Sequence, residues 1–191
     1  DMRMDPDSEL TAATIVNTLP ATELARILRT YGEERNARRI AGAIVAAREV
    51  EPFTSSARLV RLIADAVPIA QRSSGGHPAK RTFQALRIVV NGELDSLSAV
   101  LPASLDALAP GGRLAVLAYH SGEDRLVKRT FAEAARDHVP PGVPDVPAGY
   151  RAQFTLLTRG AERPDAAEVT VNPRAASARL RGITRNQEDP R

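Results

Sequence analysis

Six consecutive residues, His120-Ser121-Gly122-Glu123-Asp124-Arg125, bring together an imidazole, a hydroxyl, two carboxylates and a guanidinium. Such a set can accept and donate protons and can hold a polar substrate by hydrogen bonds. It follows directly on an unbroken apolar run, LAVLAY at residues 114–119. That run reads as a strand buried on both faces, of the kind found inside a parallel sheet covered by helices. In open α/β sheets, ligands bind just outside the carboxyl ends of the strands, where this cluster lies. The same residues also have a simpler use. Ser121 and Asp124 read as a capping box with Asp in place of Glu or Gln. Glu123 and Asp124 suit the positive end of the helix that starts there. Physics alone leaves both uses open and favours the cap.

The other chemistry-bearing groups are basic. His77, Lys80 and Arg81 stand at the start of a helix opened by Pro78, where a phosphate could be held. Arg125, Lys128 and Arg129 form a stripe on the helix after the apolar run, with Leu126, Val127, Thr130 and Phe131 facing inward. Arg35, Arg38 and Arg39 share one face of an earlier helix. They either touch RNA phosphates or are simply solvated. The three histidines, His77, His120 and His138, show no metal-ligand spacing, and there is no cysteine to add a thiolate site.

The elements that must position these groups fall into two stretches. Residues 8–68 read as three or four helices with short loops: about 11–18, a helix from Ala21 stopped by Gly32, about 33–48, and one capped by Thr54, Ser55 or Ser56 and ended by Pro68. Residues 71–76 are a linker by composition. One helical stripe then runs through Phe83, Leu86, Val90, Leu94 and Leu97, with a bend at Gly92, and Pro102 breaks it. After the apolar strand and its helix come a proline-rich loop at 139–150, a strand near 154–157, a short helix within 161–171 and a last strand near 177–183.

A length of 191 residues, 43% hydrophobic and 26% charged, suits an ordinary globular chain with material for a core. No apolar run approaches the roughly 20 residues of a membrane span. The absence of cysteine agrees with a cytoplasmic location. A net charge of +3 permits a nucleic-acid partner. No P-loop, GxGxxG, HExxH or serine-hydrolase elbow is present.

Five blocks taken together carry a family resemblance: DMRMD at 1–5, YGEERNARRIA at 31–41, HPAKRTFQALRIVVNGEL at 77–94, PGGRLAVLAYHSGEDRLVKRTF at 110–131 and NPRAASARLR at 172–181. In this order the chain resembles the bacterial 16S ribosomal RNA (cytosine-N4)-methyltransferases, from its first residue to about Arg185. The resemblance implies methyl transfer from S-adenosylmethionine to N4 of a decoding-centre cytidine in the small ribosomal subunit. It implies an α/β fold, a partial Rossmann-like methyltransferase domain with an inserted all-helical domain. Residues 1–7 would end the first part of the catalytic domain, 8–75 would be the insertion with its linker, and 76–191 the second part. The family's glycine-rich cofactor loop and its Asp-Leu-Gly-x-Ser-Ser segment are expected upstream of Asp1, so no cofactor-binding residue is carried over and the chain alone is expected to be inactive. Asn36 and Gly122 depart from the family's usual aromatic and Leu.

The amino group of cytosine is a poor nucleophile, so the reaction needs in-line placement and acceptors for the amino protons. The base must leave its stack to enter a pocket. By position, the candidates for lining it are Asp1, His120, Ser121, Glu123 and Asp124. Arg3, His77, Lys80, Arg81, Arg125, Lys128 and Arg129 are candidates for RNA phosphates. Ion pairs of Arg81 with Glu93, Glu123 or Asp124 are the structural alternative. A non-catalytic RNA- or ribosome-binding module is the second functional reading, and a purely structural interaction protein the third. A bare edge on the apolar strand is expected to aggregate or to pair, a dimer being one outcome.

Overall fold

The computed structural model describes residues 1–69, 77–137 and 150–187. The linker at 71–76, nearly all of the proline-rich loop, His138 and the end of the tail lie outside the described residues. The contacts divide the chain into two compact units, Asp1–Glu93 and Leu94–Arg191.

The first unit is helical. It contains α1 (Ala12–Thr18), α2 (Ala21–Gly32), α3 (Ala37–Val50), α4 (Ser56–Ala66) and α5 (Lys80–Asn91). Thr11 caps α1 by accepting from the Thr14 amide. Pro20 precedes α2, and the apolar stripes of α2 to α5 meet in a core that includes Leu24, Leu28, Ile40, Ile44, Ile63 and Leu86. Arg48 Nη1 donates to the carbonyls of Val16 and Leu19, tying α3 to the end of α1. The expected stop at Gly32 is not the stop observed. Glu33 takes the left-handed conformation, with φ of 49°, while Gly32 remains in the last turn of α2. Gly32 is there because α5 passes so close that a Cβ would lie 2.5 Å from the Arg81 carbonyl oxygen.

α5 does not continue past Gly92, whose φ of 57° ends it. A new helix, α6 (Glu93–Asp106), begins at once and runs through Pro102, so the break expected there is absent. Pro102 is exposed while Leu101 and Leu105 beside it are buried. Packing of that apolar face outweighs the lost amide bond.

The second unit follows with β1 (Arg113–Ala118), α7 (Ser121–Ala134), β2 (Phe154–Leu156), α8 (Ala166–Val171), a 3-10 turn (Pro173–Ser177) and β3 (Arg179–Arg185). The three strands lie in the order β1-β3-β2, and both pairings are antiparallel. Arg113 pairs with Thr184 and Ala118 with Arg179. The expectation of a doubly buried strand in a parallel sheet is thereby corrected. Leu114 and Val116 pack on Leu101, Leu105, Val127, Phe131 and Ile183, whereas Leu117 is 50% exposed. β1 is an edge strand among the described residues, and its alternation is masked in the sequence because both faces carry apolar side chains.

Candidate functional site

The loop from β1 to α7 is built on a reciprocal cap, but not the one expected. His120, not Ser121, is the N-cap. Its Nδ1 accepts from the amides of Gly122 at 3.1 Å and Glu123 at 3.3 Å. Glu123 Oε2 returns the contact, accepting from the Tyr119 amide at 2.8 Å and the His120 amide at 3.1 Å. An accepting Nδ1 places the neutral ring's proton on Nε2. That atom is buried without a hydrogen-bond partner, although Glu123 Oε1 lies 3.4 Å away. Gly122 makes room for this arrangement, since a Cβ there would sit 3.0 Å from the His120 ring. Ser121 opens α7 and is half-buried.

Replacing His120 with Ala is expected to cost about 1 kcal/mol, the usual worth of an N-cap. Hydrogen exchange should quicken at the Gly122 and Glu123 amides. Unchanged protection there would show that the imidazole does not cap.

Asp124 is the anchor of the loop. Its Oδ1 accepts from Arg181 Nε at 2.7 Å and its Oδ2 from Arg181 Nη2 at 3.2 Å, with Arg179 Nη1 3.6 Å from Oδ2. The hydrogen bond from Arg181 holds the Asp124 carboxyl below its ordinary value despite burial, and the charges of Arg181, Arg179 and Lys128 add to the effect. The ion pairs expected of Arg81 are corrected here. Asp124 pairs with Arg181 and Arg179, and Glu93 with Arg87 at 2.7 Å. On α7, Arg125, Lys128 and Arg129 are all exposed, and Arg125 and Arg129 border a cleft of about 210 Å³ with Asp95 and Ser98. A larger cleft of about 690 Å³ opens by Leu117 and Tyr119, with Glu162, Arg163, Glu168 and Arg174 on its rim.

The remaining candidates belong to the helical unit. Asp1 is held by Arg3, whose Nε and Nη2 donate to its two carboxylate oxygens at 2.7 Å and 3.0 Å. Arg3 Nη1 also donates to the carbonyls of Pro6 and Ser8, so its guanidinium shapes this segment. Asn91 completes the clamp. Its Oδ1 accepts from the Met4 amide at 2.7 Å and its Nδ2 donates to the Met2 carbonyl at 2.9 Å. Met2 is thereby kept at a φ of 70°. His77 Nδ1 accepts from the Ala79 amide at 3.2 Å, while Lys80 and Arg81 are exposed in the first turn of α5.

Sequence reasoning missed Asn91, Arg179 and Arg181. All three lie inside blocks that carry the resemblance, which is the signal that could have drawn attention to them.

S-adenosylmethionine needs acceptors for its ribose hydroxyls and amino group and donors for its carboxylate. Several acceptors among the candidate residues are already engaged. His120 Nδ1, Glu123 Oε2 and the Asp124 carboxylate are already taken by partners inside the second unit, and the Asp1 carboxylate by Arg3. These contacts fix the shape of the strand-to-helix loop and of the first segment.

No helix among the described residues is long and apolar enough to cross a membrane. A model of the MraW methylase family matches residues 1–186. The chain is similar to the ribosomal RNA small subunit methyltransferase H of Streptomyces avermitilis, 58% identical over 189 residues, which are 99% of this chain and 59% of that protein. It is 60% identical over 190 residues to the protein of the same name from Frankia alni, covering 100% of this chain and 58% of the relative. For the Mycobacterium leprae protein the identity is 60% over 187 residues, 98% of this chain and 50% of the relative. The chain thus spans between half and three fifths of the length of these relatives. The anchored loop at His120 and the clamped segment at Asp1 lie within the matched residues, and on this match the chain belongs to the MraW methylase family.

Proposed function

We propose that the chain contributes part of a ribosomal RNA methyltransferase acting on N4 of a decoding-centre cytidine of 16S RNA in the small subunit. The methyl donor would be S-adenosylmethionine, bound through residues outside this chain. The observation that carries this reading is the match of one family from residue 1 to 186 at about three-fifths identity to the relatives. In this reading residues 1–7 and 76–191 belong to a partial Rossmann-like catalytic domain, and 8–75 form the inserted helical domain with its linker.

Roles for the candidates follow from their bonds. Glu123, Asp124 and His120 act as positioning residues that hold the strand-to-helix loop in one shape. Asp1, fixed by Arg3, does the same for its own segment. The exposed cations Lys80, Arg81, Lys128 and Arg129 are assigned to RNA phosphates. A substrate nitrogen with little nucleophilicity gains most from such fixed surroundings, because orientation supplies much of the rate.

The reading is tested by grafting. This chain should replace the matching segment of the Streptomyces avermitilis relative, and the chimera be incubated with unmethylated small subunits and labelled S-adenosylmethionine. Label is expected at a single cytidine, with the methyl on N4 by mass spectrometry of the nucleosides. A folded chimera that binds the donor but leaves the subunits unlabelled would overturn the assignment.

A further inference from the structure

Between α3 and α4 the helical unit carries a groove of about 520 Å³. It is lined by Arg39, Arg58, Arg61 and Asp65, with Ala43 and Leu62 among its apolar walls. Arg39 and Arg61 are exposed, and neither forms an ion pair among the described residues. Arg58 is fixed. It donates to the carbonyls of Ala47, Glu51 and Pro52, and its guanidinium lies 4.5 Å above the Phe53 ring. Neutral carbonyls orient a guanidinium without cancelling its charge. The nearby Glu51 carboxylate stands 3.8 Å from its Nε and is largely exposed, so it screens the charge only in part.

Three guanidiniums therefore meet Asp65 in the groove and the largely exposed Glu51 beside Arg58, on walls that include small side chains which let a partner approach closely. A lone small anion would leave most of this charge unmatched, whereas a repeating chain of phosphates would match it. We infer that the α3/α4 groove binds the phosphodiester backbone of a structured RNA. This rests on the reading of the chain as part of an RNA methylase, and adds which residues of the helical unit contact the RNA.

The test uses the whole chain and a labelled hairpin RNA of decoding-region sequence, titrated by fluorescence anisotropy between about 50 and 200 mM salt. Arg39→Gln with Arg61→Gln is expected to weaken binding about tenfold and to lower the slope of log affinity against log salt by about 2. Asp65→Asn should tighten binding about twofold, a gain that misfolding cannot imitate. If the wild-type chain binds but both variants keep its affinity and slope, the groove assignment is overturned and the methylase reading stands. If the wild-type chain fails to bind even at the lowest salt, the RNA reading itself falls. Loss of an acidic protein partner in the double variant, with RNA binding intact, would assign the groove to protein and also overturn the inference.

Discussion

Replacing Arg181 with Ala is expected to destabilise the second unit by about 2–4 kcal/mol. The side chains of Arg181 and Asp124 are only 15% and 14% exposed, and they share two hydrogen bonds. Removing the guanidinium leaves a largely buried carboxylate with Arg179 at 3.6 Å and the charge of Lys128, but no hydrogen-bonded cation. The penalty comes from that stranded charge more than from the lost attraction. Pairing Arg181→Met with Asp124→Leu should therefore recover much of the stability. Urea unfolding followed by circular dichroism reads the effect as a shifted midpoint at unchanged slope. A single variant within about 0.5 kcal/mol of wild type would show that the pair is not an anchor.

The same pair sets a pH dependence with a definite sign. The folded Asp124 carboxyl lies below its ordinary value because Arg181 hydrogen-bonds it. Its contribution is then complete above the unfolded value near 3.9 and is lost as pH falls through the depressed folded value. Stability curves of wild type and Arg181→Ala should run parallel at neutral pH and converge in acid, below about pH 4.

The second large effect is expected from Gly32→Ala. On propensity alone, Ala in a helix gains about 1 kcal/mol over Gly. Here the new methyl would lie 2.5 Å from the Arg81 carbonyl oxygen and 3.2 Å from the Ala85 Cβ. A backbone carbonyl in the first turns of α5 cannot step aside without moving the helix. The clash should win, with a net loss of about 2–3 kcal/mol in the helical unit. Chemical unfolding of the variant checks this, and a neutral or stabilising result would mean that α2 and α5 are free to separate.

These two positions also show where sequence reading stops. Local patterns were legible: the short helix near 11–18, the stripe of α2 from Leu24 to Leu28, and the apolar strand found at Arg113–Ala118. Gly32 was legible as special but not for the right reason, because the neighbour that demands it is Arg81, far along the chain. Asp124 could not be matched to Arg181, 57 residues away, without knowing that β3 lies beside β1. His120 was passed over as a cap because hydroxyl and carboxylate side chains are the usual N-caps. In each case the missing information was tertiary. The strand's antiparallel pairing was hidden for a related reason, since its outer face keeps Leu117 and Tyr119 exposed and apolar.

The strand order has a consequence for synthesis. β3 is made after β1 and β2 and yet lies between them, so the sheet these three strands form cannot assemble until it arrives. Arg113 waits for Thr184, which at about 5–20 residues per second is a delay of roughly 4–14 s on the ribosome. During that interval Leu114, Val116 and Leu117 lack the partner that β3 supplies, and α6 and α7 are the elements of this unit already made that can cover them. Closure of the sheet is in this sense a late, single event, set by translation speed as much as by affinity between strands.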